Sequence, residues 1–213
     1  MPEKRALALF DFDGTLLPGD SIVRYVKMAA KEGLISPASL AGVLIAAALA
    51  LGGTLSDEQG KSRALSFRAR MTPEARRSFD ERFYRAQIEP LLYALGMERL
   101  REHKARGDAV VLVTASPSCY MEVAAQRLGV ALLATPADGA GRVIGKNVKG
   151  EEKPRRVLAW LSEQPFEADL AASHSYGDSG SDLPMLRMVG HPLRVNPKRA
   201  LRRESALPTE TWA

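Results

Sequence analysis

The sequence predicts an α/β protein: a parallel sheet with helices on both faces, and a helical segment inserted after the first strand. Three observations carry this. Apolar runs at 6–10 ("ALALF"), 109–114 ("AVVLVT") and 173–177 ("SHSYG") each end in a polar or glycine-containing turn, and the first two have the continuous apolar character of strands buried on both faces. Helical patterns lie between the runs, the alternation expected of a parallel sheet. The stretch from Leu17 to about Gly96 departs from it, being helical in pattern and free of β-branched strand runs.

Further strands are expected at 131–135 ("ALLAT") and 192–196 ("PLRVN"). The helical pattern "EVAAQRLGV" ends at Gly129, a suitable C-cap, and "KPRRVLAWLSEQ" carries apolar residues at helical spacing. In the inserted segment, Thr72 followed by Pro73 marks a helix start, because proline at the first helical position gives up no needed hydrogen bond. Residues 1–16 with 97–213 are therefore expected to form the α/β core, and 17–96 a helical cap.

At 213 residues and 46% hydrophobic content the chain can bury a substantial core. A single cysteine, Cys119, forms no intramolecular disulfide, and "MPEKRALALF" lacks the apolar length of a secretory signal. A cytoplasmic enzyme is the expectation. The net charge of +5 is concentrated between Lys61 and Arg85, where eight basic residues face three acids. Such a run is either a solvated helix face or a positive field for an anionic substrate or an anionic membrane surface. Nucleic acid is not expected as a partner, the run being read as lacking the aromatic platform on which bases stack.

Residues 33–56 carry no charge. Their apolar portion, Ala38 to Leu51, spans about 21 Å as a helix, short of a hydrocarbon core of about 30 Å. It is expected to be a buried cap helix, ahead of the alternative of an interfacial helix with peripheral membrane association.

Four polar clusters fall where strands end, the place where open parallel sheets bind ligands. Asp11 and Asp13, with Thr15, follow the first strand: one carboxylate suits a nucleophile and the other a proton donor and acceptor, and their mutual repulsion calls for a hard divalent cation such as Mg²⁺. Thr114, Ala115 and Ser116 end the clearest strand and offer a hydroxyl and backbone N–H groups to a phosphate. Lys153 can neutralise a carboxylate and a phosphate as charge builds. "YGDSGSD" supplies Asp178, a candidate cation ligand, with Asp182 at the start of a helix. His103, His174 and His191 lack metal-ligand spacing, Cys119 has no histidine base near it in sequence, and Trp160 and Trp212 read as packing residues.

Together "DFDGT", "VVLVTAS", Lys153 and "YGDSGSDLPML", in that order, resemble the four motifs of the haloacid dehalogenase superfamily of phosphohydrolases, and the insertion after "DFDGT" resembles its phosphoserine-phosphatase-like subfamily. The resemblance covers nearly the whole chain. It implies a Rossmann-like core with a C1-type cap and a Mg²⁺-dependent phosphomonoester hydrolase working through an aspartyl phosphate. Asp11 would be the nucleophile and Asp13 the acid and base. Thr114 and Lys153 would act on the phosphoryl group, with support from Phe12, Thr15, Ala115, Ser116, Ser181 and Asp182. Mg²⁺ would be held by Asp11, Asp178 and the backbone carbonyl of Asp13. Asp20 and Arg63, along with Arg24 and Tyr25, are the expected cap contacts to substrate. Ala115 and Ser116 stand where phosphoserine phosphatases commonly have two glycines, and Asp20 where they present a glutamate, departures that tell against a dedicated phosphoserine enzyme; the substrate is read more broadly as a small alcohol phosphate, phosphoserine-like or histidinol-phosphate-like. Two alternatives are a phosphatidylglycerophosphate-type lipid phosphatase at a membrane surface and a non-catalytic phosphate- or metal-binding module.

Overall fold

The computed structural model describes residues 3–203 and 206–212. The chain opens with β1 (Lys4–Arg5) and β2 (Leu7–Phe10). Helices α1 (Ser21–Lys31), α2 (Pro37–Leu51), α3 (Asp57–Ala64) and α4 (Pro73–Phe83) follow, then α5 (Ala94–Arg106). Next come β3 (Ala109–Pro117), α6 (Ser118–Leu128), β4 (Ala131–Thr135) and α7 (Glu152–Leu161). The last part holds β5 (Glu167–Ala168), β6 (His174–Gly177), α8 (Leu183–Leu186), β7 (His191–Val195), α9 (Arg199–Arg202) and β8 (Thr209–Glu210). The expected 96/97 boundary falls inside α5.

Six strands form one parallel sheet in the order β4-β3-β2-β6-β7-β8, and β1 pairs with β5 beside it. Side chains alternate across a strand, so β2 feeds both faces. Ala8 and Phe10 pack with Leu100 of α5 and with Tyr120, Met121 and Ala124 of α6. Leu7 and Leu9 pack with Val157 of α7 and Met185 of α8 on the other face. Both faces being covered explains why these strands read as unbroken apolar runs. Gly129 caps α6 in the left-handed conformation, and Thr72 and Pro73 start α4 as expected.

The chain leaves β2 toward β3 on one side and reaches β6 on the other only after β4 and α7. The strand order therefore reverses at β2, and a crevice opens there beyond the carboxyl ends of the strands. Helices α1 and α3 of the inserted segment reach that crevice, which Ile22, Asp57 and Lys61 help to line.

Two expectations about the cap need correction. Helix α2 is not buried: Val43 and Ala46 face inward, but Leu44 is 63% exposed and Ile45 61%. Its sequence is apolar on every side, and among its described side chains those of Val43 and Ala46 are covered while those of Ala38, Ala41, Leu44, Ile45, Ala48 and Leu49 are exposed. The basic run also divides. Arg68 is buried against Asp80, with Nη1–Oδ1 at 2.6 Å. Lys61 points into the crevice, while Arg63 and Arg70 are exposed. Phe67, Phe79, Phe83 and Tyr84 do lie in this run, contrary to the reading that it lacks aromatic residues, and all four are buried. Among the described residues, no helix is long and apolar enough to cross a membrane.

Candidate active site

Leu7–Phe10 stays in the sheet, and the chain then turns sharply. Leu16 and Leu17 donate their N–H groups to the Phe12 carbonyl at 2.9 and 3.0 Å, and Gly14 donates to Leu17 at 2.7 Å. Gly14 is at φ +89°, and a Cβ there would lie 1.9 Å from Asp178 Oδ2. Only glycine lets this turn and the Asp178 carboxylate share the space. Asp11 and Asp13 are thereby held over the switch point. In β3 the register with β4 shifts between Thr114 and Pro117, an irregularity of the kind that re-aims side chains beside a site.

A cavity of about 390 Å³ gathers Asp11, Asp13, Asp20, Thr114, Ala115, Ser116, Lys153, Asp178 and Ser181 of the expected residues. Lys153 lies in the first turn of α7 and is buried. Its ammonium sits 2.6 Å from Asp11 Oδ1 and 2.6 Å from Asp182 Oδ1, and it donates to the Val113 carbonyl at 2.8 Å. All three of its donors are used. Burial pulls the Lys153 pKa down, but the two carboxylates outweigh that and hold it above the usual lysine range. Asp11 shows the opposite balance: burial and the charge of Asp182 push its carboxyl up to about 8, against the pull of Lys153. Thr15 is buried outside the cavity lining and donates to Asp11 Oδ2 at 3.3 Å.

The carboxylate of Asp13 is turned away from Asp11. It accepts from Ser21 N at 2.7 Å, Ser21 Oγ at 3.1 Å and Ser116 Oγ at 2.5 Å. Burial and the nearby charge of Asp20 raise it to about 6, these hydrogen bonds opposing. Such a value leaves both protonation states accessible near neutral pH, as a group that must give and then take a proton requires. Thr114 Oγ1 accepts from Ser116 N at 3.0 Å, which ties the hydroxyl to the turn. Phe12 buries its side chain in the core and does not line the cavity. Asp182 is buried behind Lys153 and accepts from Ser179 N at 2.9 Å; with Lys153 it is held below the usual carboxylate range although burial opposes this.

The carboxylates that converge are Asp11, Asp178 and Asp182, each offering an oxygen within 4.8 Å of the others. Asp178 is raised by burial, with Lys198 opposing. Buried like charges at that separation fit a divalent cation with oxygen ligands.

Three of the expected cap contacts are not where the sequence reading put them. Tyr25 is fully buried and donates to Asp80 Oδ1 at 2.5 Å, so it serves the cap interior. Arg24 donates to the Pro18 carbonyl at 2.9 Å and lies over a separate hollow with Lys27 and Lys31. Arg63 lines a hollow beside α2 with Ile35 and Val43. Asp20 does line the cavity, and it also caps α1 by accepting from Ile22 N at 3.0 Å.

Other residues join the site without a distinguishing sequence signal. Ser21 sits between Asp13, Ser116 and Tyr120, 2.9 Å from Ser116 Oγ and 3.0 Å from the Tyr120 hydroxyl. Lys61 reaches from α3 to the Ala115 carbonyl and to Asn147 Oδ1, both at 2.6 Å. Lys198 lies 2.7 Å from Asp178 Oδ2. The histidines stay outside the cavity: His103 is bonded to Asp108 and the Tyr176 hydroxyl, both at 2.7 Å, and His174 stacks on His191. Burial pushes the Cys119 thiol up to about 12, which leaves it unreactive. Trp212 is buried over Gly96.

Comparison with known proteins gives a consistent picture. A Bordetella pertussis Tohama I protein of unknown function has a solved structure 30% identical to this chain, with a TM-score of 0.85 over 98% of each chain. A Mycobacterium tuberculosis protein named phosphoserine phosphatase SerB1 is 29% identical over 92% of this chain and 67% of its own length. A Neisseria meningitidis protein named histidinol-phosphatase is 27% identical over 93% of this chain and 94% of its own. The haloacid dehalogenase-like hydrolase family matches residues 8–187, and with the parallel sheet and the switch-point carboxylates this places the chain among the haloacid dehalogenase-like hydrolases.

Proposed function

We propose that the protein is a Mg²⁺-dependent phosphomonoester hydrolase that works through an acyl phosphate of Asp11, on a small alcohol phosphate of phosphoserine or histidinol-phosphate type. The observation that carries the reading is the convergence of Asp11, Asp13, Thr114, Lys153 and Asp178 on one cavity at the switch point. The names of the mycobacterial and neisserial relatives support the substrate class. In this reading residues 17–96 are the cap that screens substrates, and residues 1–16 with 97–213 are the catalytic core. The lone cysteine fits a reducing, cytoplasmic setting.

A carboxylate oxygen of Asp11 attacks phosphorus: an Oδ–P bond forms, the P–O bond to the alcohol breaks, and Asp13 passes its proton to the departing oxygen. Asp13, now ionised, takes a proton from water as that water attacks phosphorus, and the Oδ–P bond breaks to release phosphate and restore Asp11. Ser21 and Ser116 hold Asp13 in place for both transfers. Lys153 and the Thr114 hydroxyl stabilise charge on the phosphoryl oxygens, and Asp182 and Thr15 fix Lys153 and Asp11. Asp11, Asp178 and the carbonyl of Asp13 would hold Mg²⁺, with Asp182 behind them. Bound there, the cation supplies positive charge that offsets the repulsion between carboxylates and phosphate.

The reading is tested by phosphate release from para-nitrophenyl phosphate with Mg²⁺ and with chelator, followed by a panel of amino-alcohol, sugar and lipid phosphates. Mg²⁺-dependent release with selectivity for a small amino-alcohol phosphate is expected. Metal binding without hydrolysis across the panel would mark a non-catalytic module instead, and faster transfer to glycerol than to water a phosphotransferase.

Lys61 gives a prediction of its own. Burial lowers its pKa to about 8, with Asp57, Asp20 and Asp13 opposing, so its positive charge is lost as pH rises through that value. An anionic substrate is then held less well, and KM is expected to climb above pH 8. Replacing it by methionine should raise KM roughly tenfold at neutral pH, the worth of one charged hydrogen bond, and should flatten that rise. Steady-state kinetics across the pH range measures both effects.

A further inference from the structure

We propose that the outward face of α2 docks on an anionic lipid bilayer, lying in the interface without crossing it. Ala38, Ala41, Leu44, Ile45, Ala48 and Leu49 recur at helical spacing, and all six are exposed. The solvent face of a cap helix is ordinarily polar, so that water meets charge on one side and the core meets apolar groups on the other. Here the solvent side is as apolar as the inner one. Leu44 and Ile45 leave more than half their surface in water and Leu49 39% of its own, and no charge interrupts residues 33–56. A helix of 15 residues is about 22 Å long, too short to span a hydrocarbon core of about 30 Å but long enough to lie along its boundary.

The charges beside the helix select the occupant. The Arg63 guanidinium packs against Gly42 in the middle of α2: a Cβ there would lie 3.1 Å from its Nη2. Arg63 and Arg70 line one hollow with Ile35 and Val43. Both arginines are exposed, and among the described residues neither has a carboxylate partner. Lys31, also exposed, ends α1; Glu32, which separates it from the uncharged stretch, is paired with Arg82 at 2.8 Å. An apolar stripe beside unpaired cations matches acyl chains beneath anionic headgroups. A second copy of this chain matches less well. Pairing two such faces would bring the arginines of both chains together, and the acids that border the stretch are already engaged, Glu32 with Arg82, Asp57 with Lys149 and Glu58 with the Asn147 N–H.

Vesicle co-sedimentation tests this apart from the phosphatase reading, because its readout is binding: an active protein that ignores vesicles, or an inactive one that binds them, separates the two. The full chain is expected to sediment with phosphatidylcholine vesicles containing phosphatidylglycerol, far less with phosphatidylcholine alone, and less in high salt. The pair Leu44→Ser and Ile45→Ser should weaken that partitioning at least about tenfold by removing apolar area. The pair Arg63→Ala and Arg70→Ala should weaken it roughly tenfold, on the anionic vesicles only. None of these residues lines the catalytic cavity, so hydrolysis of a soluble aryl phosphate by either variant should match the parent and report an intact fold. No binding to anionic vesicles at low salt, or equal binding to both kinds, overturns the proposal. So does a dimer that the Leu44 and Ile45 changes abolish in a protein that does not bind vesicles, an outcome that assigns the face to a second copy.

Discussion

Asp11→Asn is expected to lower phosphate release by at least about 10⁴-fold, the scale seen when a covalent nucleophile is removed. The amide keeps the shape of the carboxylate: its oxygen can still accept from Lys153 while its NH2 donates to the Thr15 hydroxyl, and Asp182 still pairs with Lys153, so the fold should survive. The same change should leave thermal stability intact or raise it in metal-free buffer. The sign follows from the raised pKa of Asp11. A carboxyl that ionises near 3.8 in the unfolded chain but near 8 in the fold costs stability progressively as pH climbs between those values, and a neutral isostere has no such cost. Activity and melting temperature should therefore move independently. A variant that keeps full activity would sink the assignment of Asp11 as nucleophile, and one that loses activity only by unfolding would leave it without support.

The largest expected effect on stability comes from the cap, far from the chemistry. Arg68 reaches the buried Asp80 with two nitrogens, at 2.6 and 3.1 Å, and also bonds the Tyr25 hydroxyl. It donates further to the carbonyls of Gly139 and Cys119, at 3.1 and 3.3 Å. One side chain thus neutralises a buried carboxylate and ties the inserted segment to the rest of the fold. Arg68→Met strands Asp80 without a cation and should cost about 3–5 kcal/mol, read from urea unfolding. Adding Asp80→Asn removes the uncompensated charge, keeps an acceptor for Tyr25, and is expected to recover at least half of that loss. If the single and the double variant unfold alike, the tie to Gly139 and Cys119 carries the stability and the ion pair little of it.

The parallel core was legible because its cause is local. Strands covered on both faces must be apolar throughout, and the runs ending at Phe10 and Thr114 show it; Gly129, Thr72 and Pro73 mark helix ends by backbone chemistry that any neighbouring context would preserve. The short strands β1, β5 and β8 gave no such signal, since two residues set no period and pairing alone makes them strands. The polar clusters were likewise visible in order along the chain, from Asp11 to Asp182. Their convergence was a matter of topology: the reversal of strand order at β2 brings Asp178 beside Asp11 and delivers Lys153 between Asp11 and Asp182.

The cap was legible only as helix. Within a run of arginines and lysines, sequence spacing does not say which side chain turns inward, because that depends on what packs opposite. Arg68 found Asp80, Lys61 found Asn147 and the crevice, and Arg63 found the flank of α2; Tyr25 and Arg24, plausible beside Asp20 in sequence, went to the cap interior and to a separate hollow. By itself, then, the sequence determined the strand-and-helix alternation, the place of the insertion and the residue types needed at the strand ends, all of which follow from backbone preference and burial period. The tertiary structure alone decided which charges meet and which face of an evenly apolar helix is left in water, since a helix apolar on every side carries no periodic signal to say which side its neighbours will cover.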